Sequence, residues 1–205
     1  MNKGDTVFLV DDNDAVRHAL SLFLECKNFQ IRSYACAEDM LAELDPGDTG
    51  VLVLDMCMKG MSGLELQAEL KARNIYLPII FITGHGSVQD SVQALKEGAT
   101  DFIEKPFDNE VLLDSIERAL QADRSQREQR SIRQELATRF ERLTPREREV
   151  MKYIVNGTSN KQLAELLGVS SRTIEVHRSR IMSKMGAASL PDLVCMAISL
   201  SLISS

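Results

Sequence analysis

Two kinds of apolar pattern divide this chain. In its first half, short runs stand without polar alternation: residues 6 to 10 (TVFLV), 51 to 55 (VLVLD) and 78 to 83 (PIIFIT). Such runs predict strands buried on both faces, as at the centre of a parallel sheet. Weaker runs at 29 to 34 and at 101 to 107 (DFIEKPF), the second ending as a strand at Lys105, bring the number to five. Between the runs, apolar residues recur at helical spacing, as in Val16, Ala19, Leu20, Phe23 and Leu24, with Asp11, Asp12 and Asp14 priming that helix start. Further helices are expected at 37–44, at 62–72 behind the cap Ser62, at 87–97 up to Gly98, and from 108 onward. Strand and helix in strict alternation predict an α/β, doubly wound parallel sheet.

From Leu143 the pattern is helical throughout: LTPREREVMKYIVNG, SNKQLAELLGV, SSRTIEVHRSRIMSKMG and SLPDLVCMAISLSLI. Pro145 suits a helix start, Gly157 and Gly168 suit helix ends, and Asn160, Ser170 or Ser171, and Ser189 are the expected caps. A short helix, a glycine-containing turn and a longer Arg-rich helix suggest helix-turn-helix, with a generic four-helix bundle as the alternative. On the third helix Ile174, His177, Ile181 and Met185 share the inward face; Arg172, Val176, Ser179 and Ser183 take the outward one, flanked by Glu175 and Arg180. Short polar, small apolar and Arg side chains are the kind that approach base edges in the major groove, while Lys161, Thr173 and Lys184 are placed to hold phosphates. Residues 121 to 142 contain neither Gly nor Pro and are expected to continue a helix. Their stripe of Ile132, Leu136 and Phe140, extended by Leu143, is either a seam between two chains or a contact with the back half.

Charge separates the halves further. Residues 1 to 122 hold 10 basic against 21 acidic side chains, a net of −11; residues 123 to 205 hold 14 against 9, a net of +5; together they make the chain's −6. A basic back half suits a nucleic-acid partner that the overall pI of 5.2 would conceal. No apolar run approaches membrane-spanning length, and the start MNKGDTV is unlike a signal peptide, so the reading is cytoplasmic. Cys26, Cys36, Cys57 and Cys195 share no metal-site or disulfide spacing.

The strand ends carry the candidate chemistry. Asp11, Asp12 and Asp55 would converge at the carboxyl edge of the sheet, where open α/β folds bind ligands. Adjacent carboxylates stay ionised beside a cation, and hard oxygen ligands suit Mg²⁺. With Thr83 and Lys105 the set has a phosphoryl-transfer logic: a carboxylate nucleophile, cations on the phosphoryl oxygens, and a hydroxyl to bond the transferred group.

On VDD at 10 to 12, VLVLDMCMKGMSG at 51 to 63, FITGHG at 81 to 86 and KPF at 105 to 107, residues 5 to 122 resemble the receiver domain of two-component response regulators, a flavodoxin-like fold. The resemblance implies phosphorylation of Asp55 by a sensor histidine kinase. It also implies Mg²⁺ held by Asp11, Asp12, Asp55 and the backbone carbonyl of Cys57, contact of Lys105 with the phosphoryl group, a switch through Thr83 and Phe102, and a cis peptide before Pro106. Lys59 departs from the usual proline, Gly84 follows Thr83 where Ala or Ser is frequent, and His85 reads as loop surface.

The back half, on LTPRE at 143 to 147, SNKQLAELLGVS at 159 to 170 and RTIEVHRSRIMSKM at 172 to 185, resembles the LuxR-type helix-turn-helix. Together the two point to the FixJ/NarL class: a receiver at 1–122, a helical linker at 123–142 and a DNA-binding domain at 143–205. That class implies a transcription regulator, not an enzyme acting on other substrates, which dimerises on phosphorylation and binds promoter DNA. RNA polymerase is a further partner to expect, and a membrane is not. Lys161, Arg172, Thr173, Glu175, Val176, Ser179, Arg180 and Lys184 would face DNA, and Leu190, Leu193, Val194 and Ala197 of the last helix would form the dimer seam. Many relatives carry Lys where Glu175 stands. A rival reading, a phosphohydrolase of the haloacid dehalogenase type, expects an Asp where Cys57 stands; a binding module with an inert receiver expects a broken acidic set. A fragment of residues 144 to 205 is expected to bind DNA without phosphorylation.

Overall fold

The structure is a computed structural model describing residues 5–45, 47–84 and 88–202. The chain divides into two compact units, Met1–Ser125 and Gln126–Ser205. In the first, β1 (Thr6–Val10), β2 (Gln30–Tyr34), β3 (Val51–Asp55), β4 (Ile79–Thr83) and β5 (Asp101–Glu104) form a parallel sheet of order β2-β1-β3-β4-β5. The connecting helices are α1 (Asp14–Cys26), α2 (Ala37–Glu43), α3 (Gly63–Ala72) and α4 (Val88–Lys96), with α5 (Asn109–Glu141) following β5. The unalternating apolar runs have the predicted cause. Phe8, Leu52, Leu54 and Phe81 fill the core on one face, and Val7, Leu9, Val53, Ile80 and Ile82 fill the other.

Several local expectations are corrected. The cap of α1 is Asn13, whose side chain accepts from the N–H groups of Ala15 and Val16, so Asp11 and Asp12 are released from capping. β5 stops at Glu104, one residue before Lys105, whose N–H bonds the Thr83 carbonyl at 2.7 Å. Ser62 does cap α3, in a reciprocal box with Glu65. At the start of that helix Gly63 is required by space: a Cβ there would lie 2.7 Å from the Asp55 carbonyl and 2.8 Å from the Phe81 ring. The close approach ties α3 to the end of β3. The peptide between Lys105 and Pro106 is cis.

The second unit contains α6 (Pro145–Val155), α7 (Asn160–Leu167), α8 (Ser171–Met185) and α9 (Leu190–Ser199), capped by Thr144, Ser159, Ser170 and Ser189. Ser159 caps α7 in place of the expected Asn160, whose side chain instead accepts from Arg178 on α8 at 3.1 Å. The end of α5 belongs to this unit as well. Leu136 is buried, Leu143 follows it into the core, and Phe140 packs half-buried against it, while Ile132 stays exposed. The stripe from residue 132 onward is therefore, in its later part, an intrachain contact.

Among the described residues no single helix is long and apolar enough to cross a membrane. The α8–α9 pair reaches that length only across a 60° bend, and its Ile174, Ile181, Met185, Leu193 and Ala197 are core residues.

Candidate functional site

The sheet register explains why three carboxylates meet. Val10 is paired with Leu54, so the next step along each strand sets Asp11 beside Asp55 at the carboxyl edge. Asp11 is fully buried, Asp55 nearly so, and Asp12 half-exposed; each offers an oxygen within 4.8 Å of the others. Lys105 reaches in from beyond β5, its Nζ 2.8 Å from Asp11 Oδ2 and 2.9 Å from Asp55 Oδ2. Partial burial disfavours its ammonium, but the bonds to Asp11 and Asp55 outweigh that and raise its pKa. One ammonium against three carboxylates leaves about two negative charges uncompensated in a low-dielectric setting, which is costly without a further cation. Hard oxygen donors, carboxylate charge and small separation fit Mg²⁺.

The β3–α3 loop is held to this cluster by its main chain. Cys57 N–H donates to Asp55 Oδ1 (3.2 Å), Lys59 N–H to Asp12 Oδ2 (3.3 Å), Met61 N–H to Glu38 Oε1 (3.2 Å) and Ser62 N–H to Glu65 Oε2 (2.8 Å). Carboxylates from four places in the fold thus anchor one loop. Lys59 gives the loop a donor to Asp12 that a proline would lack, and nothing in the sequence pointed to Glu38 as the acceptor for Met61 N–H. Thr83 is buried at the end of β4, and Phe102, half-buried on β5, packs on the core face of Phe81, with which it is in register. Cys57 is exposed. His85 lies outside the described residues.

In the second unit, Arg172, Glu175, Val176, Ser179 and Arg180 are exposed on α8, and Lys161 is exposed on α7. Ile174, Ile181 and Met185 are fully buried beneath them, and His177 is half-buried with its Nδ1 enclosed. Thr173 is half-buried and bonds the Ser170 hydroxyl at 2.9 Å. Two expectations change. Lys184 does not stand free for phosphate: its Nζ is 2.6 Å from Glu147, a carboxylate only 2% exposed. Burial opposes ionisation of Glu147, but the Lys184 ammonium and the Thr144 N–H outweigh it and hold the carboxyl below its usual range. Leu193 and Ala197 cannot form a seam between chains, because both are fully buried in their own domain's core. The exposed apolar positions of α9 are Leu190 and Ile198, with Val194 half-buried between them on the same face.

Comparison with known proteins follows the same division. Residues 7–117 match the response regulator receiver domain, and residues 141–197 match the bacterial regulatory proteins of the luxR family. The transcriptional regulatory protein FixJ of Azorhizobium caulinodans is 43% identical over 192 residues, covering 94% of this chain and 91% of its own. The C4-dicarboxylate transport transcriptional regulatory protein DctR of Rhodobacter capsulatus is 42% identical, covering 93% and 98%. Among solved structures, the response regulator StyR superposes with a TM-score of 0.85 at 42% identity over 95% of this chain and 98% of its own. Full-length FixJ from B. japonicum gives 0.60 at 37% over both whole chains. A sheet edge that gathers three carboxylates and a lysine, a helix-turn-helix unit and end-to-end likeness to these regulators lead to one conclusion: the chain belongs to the two-component response regulators, as a FixJ-like transcriptional regulator with a receiver domain and a LuxR-type DNA-binding domain.

Proposed function

We propose that Asp55 accepts the phosphoryl group of a sensor kinase phosphohistidine and that this controls DNA binding through α8. The observation that carries the reading is the pairing of Lys105 with both Asp11 and Asp55 in an acidic cluster of otherwise uncompensated charge. An Asp55 carboxylate oxygen attacks phosphorus, the P–N bond breaks, and the histidine leaves with the bonding pair, taking a proton at its nitrogen. Lys105 turns from the bare carboxylate to the phosphoryl oxygens. A divalent ion, when held by Asp11, Asp12, Asp55 and the Cys57 carbonyl, supplies neutralisation of charge on those oxygens. Thr83, at the end of the neighbouring strand, bonds the transferred group, and Phe102 turns inward as it does so. The protein acts on its own phosphoryl group alone; the position two residues after Asp55, where a phosphohydrolase carries its second acid, holds Cys57.

On this reading residues 1–122 receive the signal, 123–142 carry the linker and 143–205 bind DNA, in the cytoplasm. Arg172, Glu175, Val176, Ser179 and Arg180 face the bases, and Lys161 and Thr173 face phosphates; Lys184 is assigned to the fold. Phosphorylation favours a homodimer, in which Leu190, Val194 and Ile198 pair α9 with its copy, and two weak half-site contacts then act as one. RNA polymerase is a further partner on the promoter.

The test uses the full chain and a duplex that it selects from a random pool. With a small acyl-phosphate donor and Mg²⁺ its affinity should rise about tenfold or more, and D55N should show no rise. An equal rise in D55N would refute the reading.

A further inference from the structure

The luxR-family match begins at residue 141, yet the helix that precedes it reaches the end of α8. Arg139, in the last turn of α5, donates from Nη1 to the carbonyl of Met185 at 2.9 Å, and Met185 is the final residue of α8. A helix leaves its last carbonyls without intrahelical partners and carries partial negative charge there, so a guanidinium at that point satisfies a hydrogen bond and the dipole together. The guanidinium is itself held: Nη2 donates to Glu135 Oε1, one turn back on α5, at 2.7 Å. Its other neighbour is Gly186, the left-handed cap of α8 with φ 71°. The cap is glycine for its left-handed conformation, and a Cβ there would lie 2.7 Å from Arg139 Nη1, so a side chain at 186 would push the guanidinium aside. Leu136, buried three residues earlier, fixes the helix from which Arg139 extends.

We propose that Arg139 is a positioning residue for DNA recognition, fixing the axis and end of α8 so that its exposed side chains meet base edges in register. The inference rests on α8 being the helix that reads DNA. Base hydrogen bonds tolerate little displacement, whereas phosphate contacts accommodate more. Loss of Arg139 should therefore weaken specific binding more than non-specific binding. A role in stability alone would leave the ratio of the two unchanged in folded protein.

The experiment compares full-length R139M, R139K and G186A with the parent at 10 °C, after thermal unfolding has shown each variant folded at that temperature. R139M keeps the apolar stem and deletes the donors; R139K restores one. Each is titrated against the duplex selected by the parent and against a scrambled duplex at the same salt concentration. R139M should bind the selected duplex about tenfold more weakly and the scrambled one within about twofold of the parent, the scale of one lost base contact. R139K should recover most of the difference, and G186A, which displaces the guanidinium, should repeat the loss. If R139M does not fold, R139K and G186A decide: a parental ratio in G186A overturns the proposal. So does a folded R139M with both affinities unchanged or lowered alike. R172A separates the two levels of inference. If it too leaves the ratio unchanged, α8 is not the reading helix; if it lowers the ratio while R139M does not, only the role of Arg139 fails.

Discussion

Each unit of this protein sets a lysine against buried carboxylate, and the two arrangements have opposite consequences. Lys105 faces Asp11 and Asp55, with Asp12 beside them, at a sheet edge open to ligands. Lys184, a third of its side chain in solvent, faces the buried Glu147 alone in a helical domain. The first set is unbalanced, so it gains by taking up a cation and by moving its negative charge onto a phosphoryl group that Lys105 can hold. The second is balanced, and it also closes the N-terminal box of α6, where the Glu147 carboxylate accepts the Thr144 N–H at 2.8 Å. Residue types do not separate the two cases. Charge balance does.

The largest effect expected from breaking the helical side of the comparison comes from truncation. A fragment of residues 144 to 205 lacks Leu136, which is buried, Phe140 and Leu143, which pack in the unit's core, and Arg139, which bonds the end of α8. Burial of two and a half large apolar side chains is worth about 4–7 kcal/mol. Chemical denaturation should therefore find the 126–205 fragment more stable than the 144–205 fragment by that amount, and only the longer one should bind the selected duplex at full-chain strength. Equal stability would show that the end of α5 is dispensable.

Next is E147Q. Removing the charge from a buried pair should cost roughly 2 kcal/mol, below the usual range for such pairs because Lys184 keeps a third of its side chain in solvent. Since the folded pKa of Glu147 is depressed, its stabilisation is present above the unfolded value of about 4.3 and is lost as pH falls through the folded value. Denaturation of the 126–205 fragment should show that acid dependence reduced in E147Q. An unchanged pH profile would mean that the pair contributes nothing.

The smallest effect sharpens the receiver side. K59P removes the donor to Asp12 Oδ2 and K59A keeps it. A single hydrogen bond to a charged group is worth about 1.5 kcal/mol or less here, given its length and exposure. Calorimetric Mg²⁺ binding should weaken about three- to tenfold in K59P and stay near parental in K59A. Similar affinities in all three proteins would show that the loop main chain does not orient Asp12.

What the sequence disclosed follows from the same physics. Strands buried on both faces leave unbroken apolar runs, so β1, β3 and β4 and the polar residues at their ends could be read directly, as could Ser62, with Glu65 three residues on. Asp11 and Asp55 were legible because each closes such a run, and Lys105 because it follows the weaker one at 101–104. The helical unit was less transparent, since a charged residue looks alike whether solvated or paired. Lys184 could be separated from the exposed Arg180 only once Glu147 was seen opposite it, 37 residues away. Half of the expected α9 seam changed for a related reason. An apolar helix offers several faces, and only packing shows that Leu193 and Ala197 turn inward while Leu190 and Ile198 do not. Arg139 lacked any local signal, because its partner is a main-chain carbonyl.

The central claim, that the unbalanced cluster exists to phosphorylate Asp55, is tested most directly by locating the phosphoryl group. The full chain is treated with a small acyl-phosphate donor and Mg²⁺, reduced with borohydride, digested and sequenced by mass spectrometry. Reduction cleaves an aspartyl phosphate to homoserine, which marks the acceptor. Homoserine at position 55, absent when Mg²⁺ is chelated and absent in D55N, is the result predicted. Homoserine at Asp11 or Asp12 in the parent, or labelling of D55N to the parental extent, would contradict it.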